Sequence, residues 1–408
     1  MARVRSQPSK PQAPKSRAVK PQTTRSEAAK PRPSKSQPAK TTLNLSAKAL
    51  WPKTTELVSL DFVVRPTSDG NLYPQYTIGL HAWFLDQMRQ LDPDLSAYLH
   101  DGESEKPFSL TGLSGQFVSH SQSLQLQPGA TYHWRVSGFS KRVVQGLASW
   151  LRQLPEAIDL KNAPLAIDSV QFAQPPTTYS KLLRQHKETT GSVSLSFVSP
   201  TSFRRKGHHL PLPWPTNVFH SYLRRWNHFA SKPVDQAEFL DWVDTYTIVQ
   251  RHKIESVKVA AGKRGSVTGF TGAVTYGLDR KAYMQPDFRA LFYALTELAP
   301  YCGTGHKTTF GLGETRLGWH LAEGAPQLPT QQQLLAERMA ELTELFVSQK
   351  KRQGKDRAQN TAETWATILA RREQGDGLGD IATDLDLPYE TAKTYSKLAR
   401  RALKDEGE

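Results

Sequence analysis

One order of elements, read from hydrophobic periodicity, runs twice along this chain and leaves few folds open to it. Glu56–Arg65 reads as a strand, with Leu60, Phe62 and Val64 alternating against Ser59, Asp61 and Val63. Helical spacing follows through Ile78, Leu80, Trp83, Phe84, Met88 and Leu91. Strands are then expected at Phe108–Gln116 and Thr131–Phe139, a helix at Arg142–Leu154 and a last strand at Ala163–Ala173. The order β-α-β-β-α-β makes one ferredoxin-like unit. A second unit starts with a strand at Gly191–Phe203 and a helix at Pro215–Phe229. Strands near Thr245–Ile254 and Gly269–Leu278, a helix at Asp287–Ala299 and a strand at Glu314–His320 complete it. The expected class is therefore α+β, with two tandem ferredoxin-like (RRM-like) domains at residues 49–188 and 189–325.

The flanks differ in composition from this core. Residues 1–48 hold 12 Lys/Arg against the single acid Glu27, a charge of +11 out of the chain's +15. Arg5-Ser6, Lys15-Ser16, Arg25-Ser26 and Lys35-Ser36 recur every ten residues, with Lys10, Lys20, Lys30 and Lys40 between them. So few apolar residues cannot offset chain entropy, and a disordered basic arm is expected. Such an arm attracts polyanions without sequence preference, or serves only solubility. Residues 330–408 predict an all-α module: helices at Thr330–Arg352 and Thr361–Arg372 joined by a linker at Gln353–Asn360, then Gly379–Asp386 and Tyr389–Lys404. The last pair resembles a helix-turn-helix, with Pro388 suited to a first helical turn. This module carries 13 Lys/Arg and 14 Asp/Glu, a weak footprint for DNA. Docking to a protein and nucleic-acid binding both stay open for it.

Several classes are excluded. No run of about 18 apolar residues exists to span a membrane. The N-terminus has charge but no apolar core of a secretion signal. The lone Cys302 rules out disulfides and cysteine-rich zinc sites and fits a reducing cytoplasm. His208-His209 are adjacent and lack a carboxylate companion, so no metal and no cofactor are expected.

Between the last helix and last strand of the second unit lies Gly303–Gly313, GTGHKTTFGLG. Its glycines Gly303, Gly305, Gly311 and Gly313 permit left-handed backbone and let N–H groups approach a ligand. With Lys307, Thr308 and Thr309 among them, the run suits phosphate oxygens. It is neither a P-loop nor a dinucleotide fingerprint, because it closes a helix instead of opening one. A tight turn with no ligand is the alternative.

Three stretches together resemble the CRISPR-associated endoribonucleases that process precursor CRISPR RNA, members of the repeat-associated protein superfamily. The loop GTGHKTTFGLG fits that family's G-x-G-x-K-x-[ST]-x-G-[FL]-G pattern without a gap. Leu95–Phe108, LSAYLHDGESEKPF, resembles the segment in which a histidine ending a helix is followed six residues later by a lysine, here His100 and Lys106. Ser199–Phe203 and Leu210–Phe229 resemble the second domain. The resemblance spans roughly residues 52–322 and implies metal-independent cleavage. The nucleotide's own 2′-hydroxyl attacks the adjacent phosphate, leaving a 2′,3′-cyclic phosphate and a 5′-hydroxyl. Histidine titrates near neutrality and suits acid/base work, and lysine stabilises charge growing on phosphorus. His100 is then the principal acid/base group and Lys106 the phosphate cation. The family often adds a tyrosine or second histidine from the first helix; no tyrosine stands at that level here. His81 is the substitute, or else a core histidine.

RNA contacts are expected from the glycine loop, from Arg204 and Arg205 with Lys206, and from Arg224 and Arg225 with Trp226 stacking on a base. The expected partners are repeat RNA and subunits of a CRISPR interference complex. The alternative is a catalytically silent CRISPR-RNA-binding subunit, or a regulator acting through the C-terminal module.

Overall fold

The computed structural model describes residues 43, 49–68, 70–73, 75–100, 105–120, 123–206, 208–260, 265–321, 330–349 and 355–404. The first domain runs β1 (Leu57–Pro66), α1 (Tyr76–Leu91), α2 (Pro93–His100), β2 (Phe108–Leu110), β3 (Tyr132–Gly138), α3 (Lys141–Trp150) and β4 (Leu165–Thr177). Its sheet has the order β2-β3-β1-β4, with the short strand Ala157–Ile158 added beyond β4. β1 pairs antiparallel with both β3 and β4, and β2 with β3. This is the ferredoxin-like arrangement that the periodicity predicts. Strand alternation seats Leu60, Phe62 and Val64 in the core, fully buried. There Phe62 meets Trp134 at 5.4 Å and Trp150 at 5.3 Å between ring centroids. Such pairs add about 0.5–1.5 kcal/mol each beyond the area they bury. Ser140 caps α3 by accepting from the Val143 N–H.

The second domain repeats the plan: β5 (Val193–Thr201), α4 (Pro215–Phe229), α5 (Gln236–Tyr246), β6 (Thr247–Ala260), β7 (Ser266–Leu278), α6 (Pro286–Cys302) and β8 (Thr315–Leu317). Its sheet order is β6-β7-β5-β8. Proline starts both α4 and α6, where its missing N–H costs nothing. α5 is an addition to the predicted order; it takes Thr245 and Tyr246 from the predicted strand, and β6 in turn runs on to Ala260. The predicted strand Phe108–Gln116 contracts to Phe108–Leu110, followed by isolated bridges at Thr111 and Ser114.

Four helices follow: α7 (Thr330–Gln349), α8 (Lys355–Glu373), α9 (Leu378–Asp384) and α10 (Tyr389–Lys404). The predicted linker Gln353–Asn360 is mostly helix, since α8 starts at Lys355. Leu335, Met339, Leu342 and Phe346 pack against Ala362, Ala366 and Leu369, while Ile368, Ile381, Ala382 and Ala392 make a second small core. The Gly265 N–H donates to Thr367 Oγ1 at 3.0 Å, and Lys161 pairs with Asp380 at 2.8 Å. The module is therefore fastened to both domains.

Most of the basic arm lies outside the described residues. Leu43 is the exception and corrects the expected boundary. Its N–H donates to the Val170 carbonyl at 2.8 Å, and its side chain packs on the first core. Among the described residues, no helix is long and apolar enough to cross a membrane.

Candidate functional site

The glycine loop is stitched to both domains by its own backbone. The Gly303 N–H donates to Ala299 O at 2.8 Å, Gly305 to Ser221 Oγ at 2.8 Å, Gly311 to Leu110 O at 3.2 Å and Gly313 to Pro200 O at 3.0 Å. All four glycine N–H groups, expected to face phosphate, thus point at protein acceptors. The glycines are needed for geometry instead. Gly305 and Gly313 have φ of +80° and +71°. A Cβ there would fall inside contact distance of the Ser202 and Thr304 carbonyl oxygens respectively. The Leu110 N–H donates back to Thr308 O at 3.0 Å, so β2 of the first domain and the loop of the second form a short parallel bridge. Leu312 packs with Val257, Val259 and Val267 of the β6–β7 hairpin.

Arg225 holds this loop from beneath. It is only 4% exposed; Nη1 donates to Ser221 O at 2.9 Å and Oγ at 2.7 Å, and Nη2 to Gly305 O at 3.0 Å. The expectation that Arg225 contacts RNA is corrected: a buried guanidinium with loop acceptors is an internal brace. Trp226, expected to stack on a base, is 2% exposed and lies edge-on to Tyr179 at 5.1 Å. Thr308 and Thr309 are both 6% exposed, and Thr308 Oγ1 is 3.4 Å from Arg225 Nη2. Lys307 is half-buried with φ of +59°. Arg204 is exposed on the hairpin strand Phe203–Arg205, paired with His209 across the hairpin; the side chain of Arg205 lies outside the description.

The proposed catalytic residues fall as follows. His100 is exposed as the last residue of α2. Lys106 Nζ donates to Leu99 O at 3.0 Å, which returns the ammonium to the helix end that His100 terminates. A cation there also meets the negative end of the helix dipole. Residues 101–104 between them lie outside the described residues. His81 sits on α1 with its ring stacked at 4.2 Å on Phe310 of the glycine loop and 6.0 Å from Phe108. It is held by aromatic packing where the two domains meet.

Sequence reasoning missed three neighbours. Glu105 pairs with Arg224 of α4 at 3.1 Å, which joins the Lys106 segment to the second domain. His220, one turn before Arg224, has its pKa lowered by burial first and then by the Arg224 charge. His306, inside the glycine loop, bonds Ser202 O through Nδ1 at 2.9 Å and stacks on His209 at 5.4 Å. Burial, above all, pulls its pKa down to about 4. Nothing in the local sequence around Glu105, His220 or His306 singles these residues out. Among the described residues no three His, Cys, Asp or Glu side chains are grouped to hold a metal ion.

Two ferredoxin-like halves with a glycine loop before the final strand define the tandem class that the sequence resembles. The description "CRISPR Cas6 N-terminal domain" matches residues 58–183, and "CRISPR-associated endoribonuclease Cas6" matches residues 195–315; together they take in more than half of the chain. The chain belongs to the Cas6 family of CRISPR-associated endoribonucleases. Among solved structures, a Cas6 product complex is 28% identical with a TM-score of 0.51, over 64% of this chain and 99% of that one. A second Cas6 product complex, 22% identical, gives a TM-score of 0.53 over 64% and 100% of the two chains. Thermus thermophilus Cas6, also 22% identical, gives 0.50 over 65% and 99%. At 22% identity these last two bear on the fold alone. Comparison with curated proteins returned no match.

Proposed function

We propose that this chain is a cytoplasmic, metal-independent endoribonuclease that cuts precursor CRISPR RNA within its repeats and keeps hold of the product. The observation that carries the reading is the Lys106 Nζ on Leu99 O at 3.0 Å, which sets a cation at the helix end occupied by His100. His100 moves the proton at the 2′-hydroxyl or at the leaving 5′-oxygen, and Lys106 offsets the charge growing on the phosphorane. His81 is the next candidate for the remaining proton transfer. Repeat RNA is bound by Lys307 and Arg204, with the basic arm adding non-specific attraction. The glycines, Thr308 and Arg225 serve binding by fixing the loop's shape. Replacing His100 with alanine tests this: the reading requires cleavage to fall while RNA affinity holds.

A second reading concerns the C-terminal module, and a charge separation favours it. Its near-neutral total conceals pairing of its acids: Asp376 and Asp384 with Arg371 at 2.6 and 2.9 Å, Asp380 with Lys161, and Glu341 and Glu373 with Arg338, both at 2.8 Å. Meanwhile α10 exposes Lys397, Arg400 and Arg401, while its Lys393 pairs with Glu390 at 3.4 Å. That face suits a nucleic-acid backbone. Glutamate at Lys397 and Arg401 lowers duplex affinity under this reading and leaves repeat cleavage intact; unchanged affinity removes it.

A further inference from the structure

We propose that Arg224 is a positioning residue for the His100–Lys106 site, acting through Glu105 and not through RNA. The inference rests on the catalytic reading above. Arg224 Nη1 lies 3.1 Å from Glu105 Oε1, and Glu105 directly precedes Lys106. The segment is thereby held at two consecutive residues: Glu105 to α4 of the second domain, and Lys106 to the Leu99 carbonyl near the C-terminus of α2 at 3.0 Å.

The helix that supplies Arg224 is itself fixed. The next residue, Arg225, is buried and bonded to Ser221, Gly305 and Thr308. Two consecutive arginines on α4 therefore reach opposite parts of the site. Arg225 braces the glycine loop, and Arg224 braces the segment carrying Lys106. In this way one helix sets the register between the loop expected to meet RNA and the groups expected to cut it. The pair is partly shielded, with Glu105 the more buried partner at 23% side-chain exposure. Its Coulomb energy is accordingly less screened than that of an open surface pair. Its consequence lies in geometry: a displacement near 1 Å at a reacting centre costs roughly 10²-fold in rate.

The roles separate through Glu105. An arginine that contacts RNA loses nothing when a nearby carboxylate is neutralised; an arginine that works through that carboxylate does. The full-length protein is compared as wild type, E105Q, R224A, R224K and the charge swap E105R/R224E. Three quantities are read: single-turnover cleavage of repeat RNA at saturating protein, RNA affinity, and amide hydrogen exchange in residues 105–108. E105Q and R224A are each expected to slow cleavage by about 10- to 100-fold with affinity nearly constant and with faster exchange. R224K and the charge swap recover most of the rate. Weakened RNA binding in R224A beside full activity in E105Q overturns the proposal and makes Arg224 an RNA ligand. If the wild type cuts no repeat RNA, the catalytic reading fails, and exchange alone decides: unchanged protection of 105–108 in R224A overturns the bracing role.

Discussion

The guanidinium of Arg225 donates to the carbonyl of Gly305 at 3.0 Å from a position only 4% exposed. A charge that in sequence looks available for RNA is in fact the internal support of the glycine loop. Arg225→Met removes the guanidinium bonds to Ser221 and takes the side-chain donor from the Gly305 carbonyl, and hydrogen bonds to a charged group are worth about 1.5–3 kcal/mol each. Urea unfolding is expected to show a loss of about 2–3 kcal/mol, with weaker RNA binding as a consequence. A variant as stable as wild type, yet deficient in RNA binding, would return Arg225 to the RNA surface.

Gly305 tests the loop's backbone directly. With φ of +80° and the Ser202 carbonyl against the site of any Cβ, Gly305→Ala meets both a conformational penalty and a clash. The backbone term alone is about 1–2 kcal/mol. A lowered melting temperature is expected, and an unchanged one would mean that the loop takes another shape.

His306 makes stability depend on pH. Its folded pKa, about 4, lies below the ordinary 6.5, chiefly through burial. The unfolded chain therefore takes up the proton first, and stability present above pH 6.5 is lost as pH falls toward 4. Chemical denaturation at pH 7 and pH 5 is expected to show a drop that His306→Phe reduces. An identical drop in the variant assigns it to other groups, of which half-buried His209 and His220, also shifted down by burial, stand next.

The basic arm predicts a salt effect. Removing residues 1–39, which keeps the docked Leu43, is expected to lower general RNA affinity and to flatten its dependence on salt. The log–log slope should shrink by about 0.7 for each single-stranded phosphate that the arm neutralises. An unchanged slope assigns the arm to solubility.

Both sheets were legible because alternation and helical spacing coincide with burial: Leu60, Phe62 and Val64 face one core, and Leu291, Phe292, Leu295 and Leu298 another. The glycine loop was legible as a loop, but where its glycine N–H groups point was not. Glycine in sequence signals permissive backbone; only the structure shows that the N–H groups of Gly303, Gly305, Gly311 and Gly313 are satisfied within the protein. Arg224 and Arg225 are adjacent and chemically alike. Helix phase sends one toward Glu105 and the other under the loop, and their surroundings depend on partners about 80 to 120 residues distant in sequence. Glu105 and His220 were missed for the same reason, since only tertiary folding brings α4 to the Lys106 segment. The C-terminal charges were legible as a sum but not as a pattern, since which acids pair with Lys161, Arg338 and Arg371 is set by tertiary packing.

The central claim is 2′-hydroxyl attack assisted by His100 and Lys106. The most direct measurement incubates the protein, in EDTA, with RNA of the host's CRISPR repeat and with a copy carrying one 2′-deoxy nucleotide at the mapped cut, alongside His100→Ala. The account predicts one cut ending in a 2′,3′-cyclic phosphate, abolished by the deoxy substitution, with His100→Ala slower by about 10²–10⁴-fold at undiminished RNA affinity. Cleavage that needs added metal, or that persists on the 2′-deoxy RNA, would contradict it.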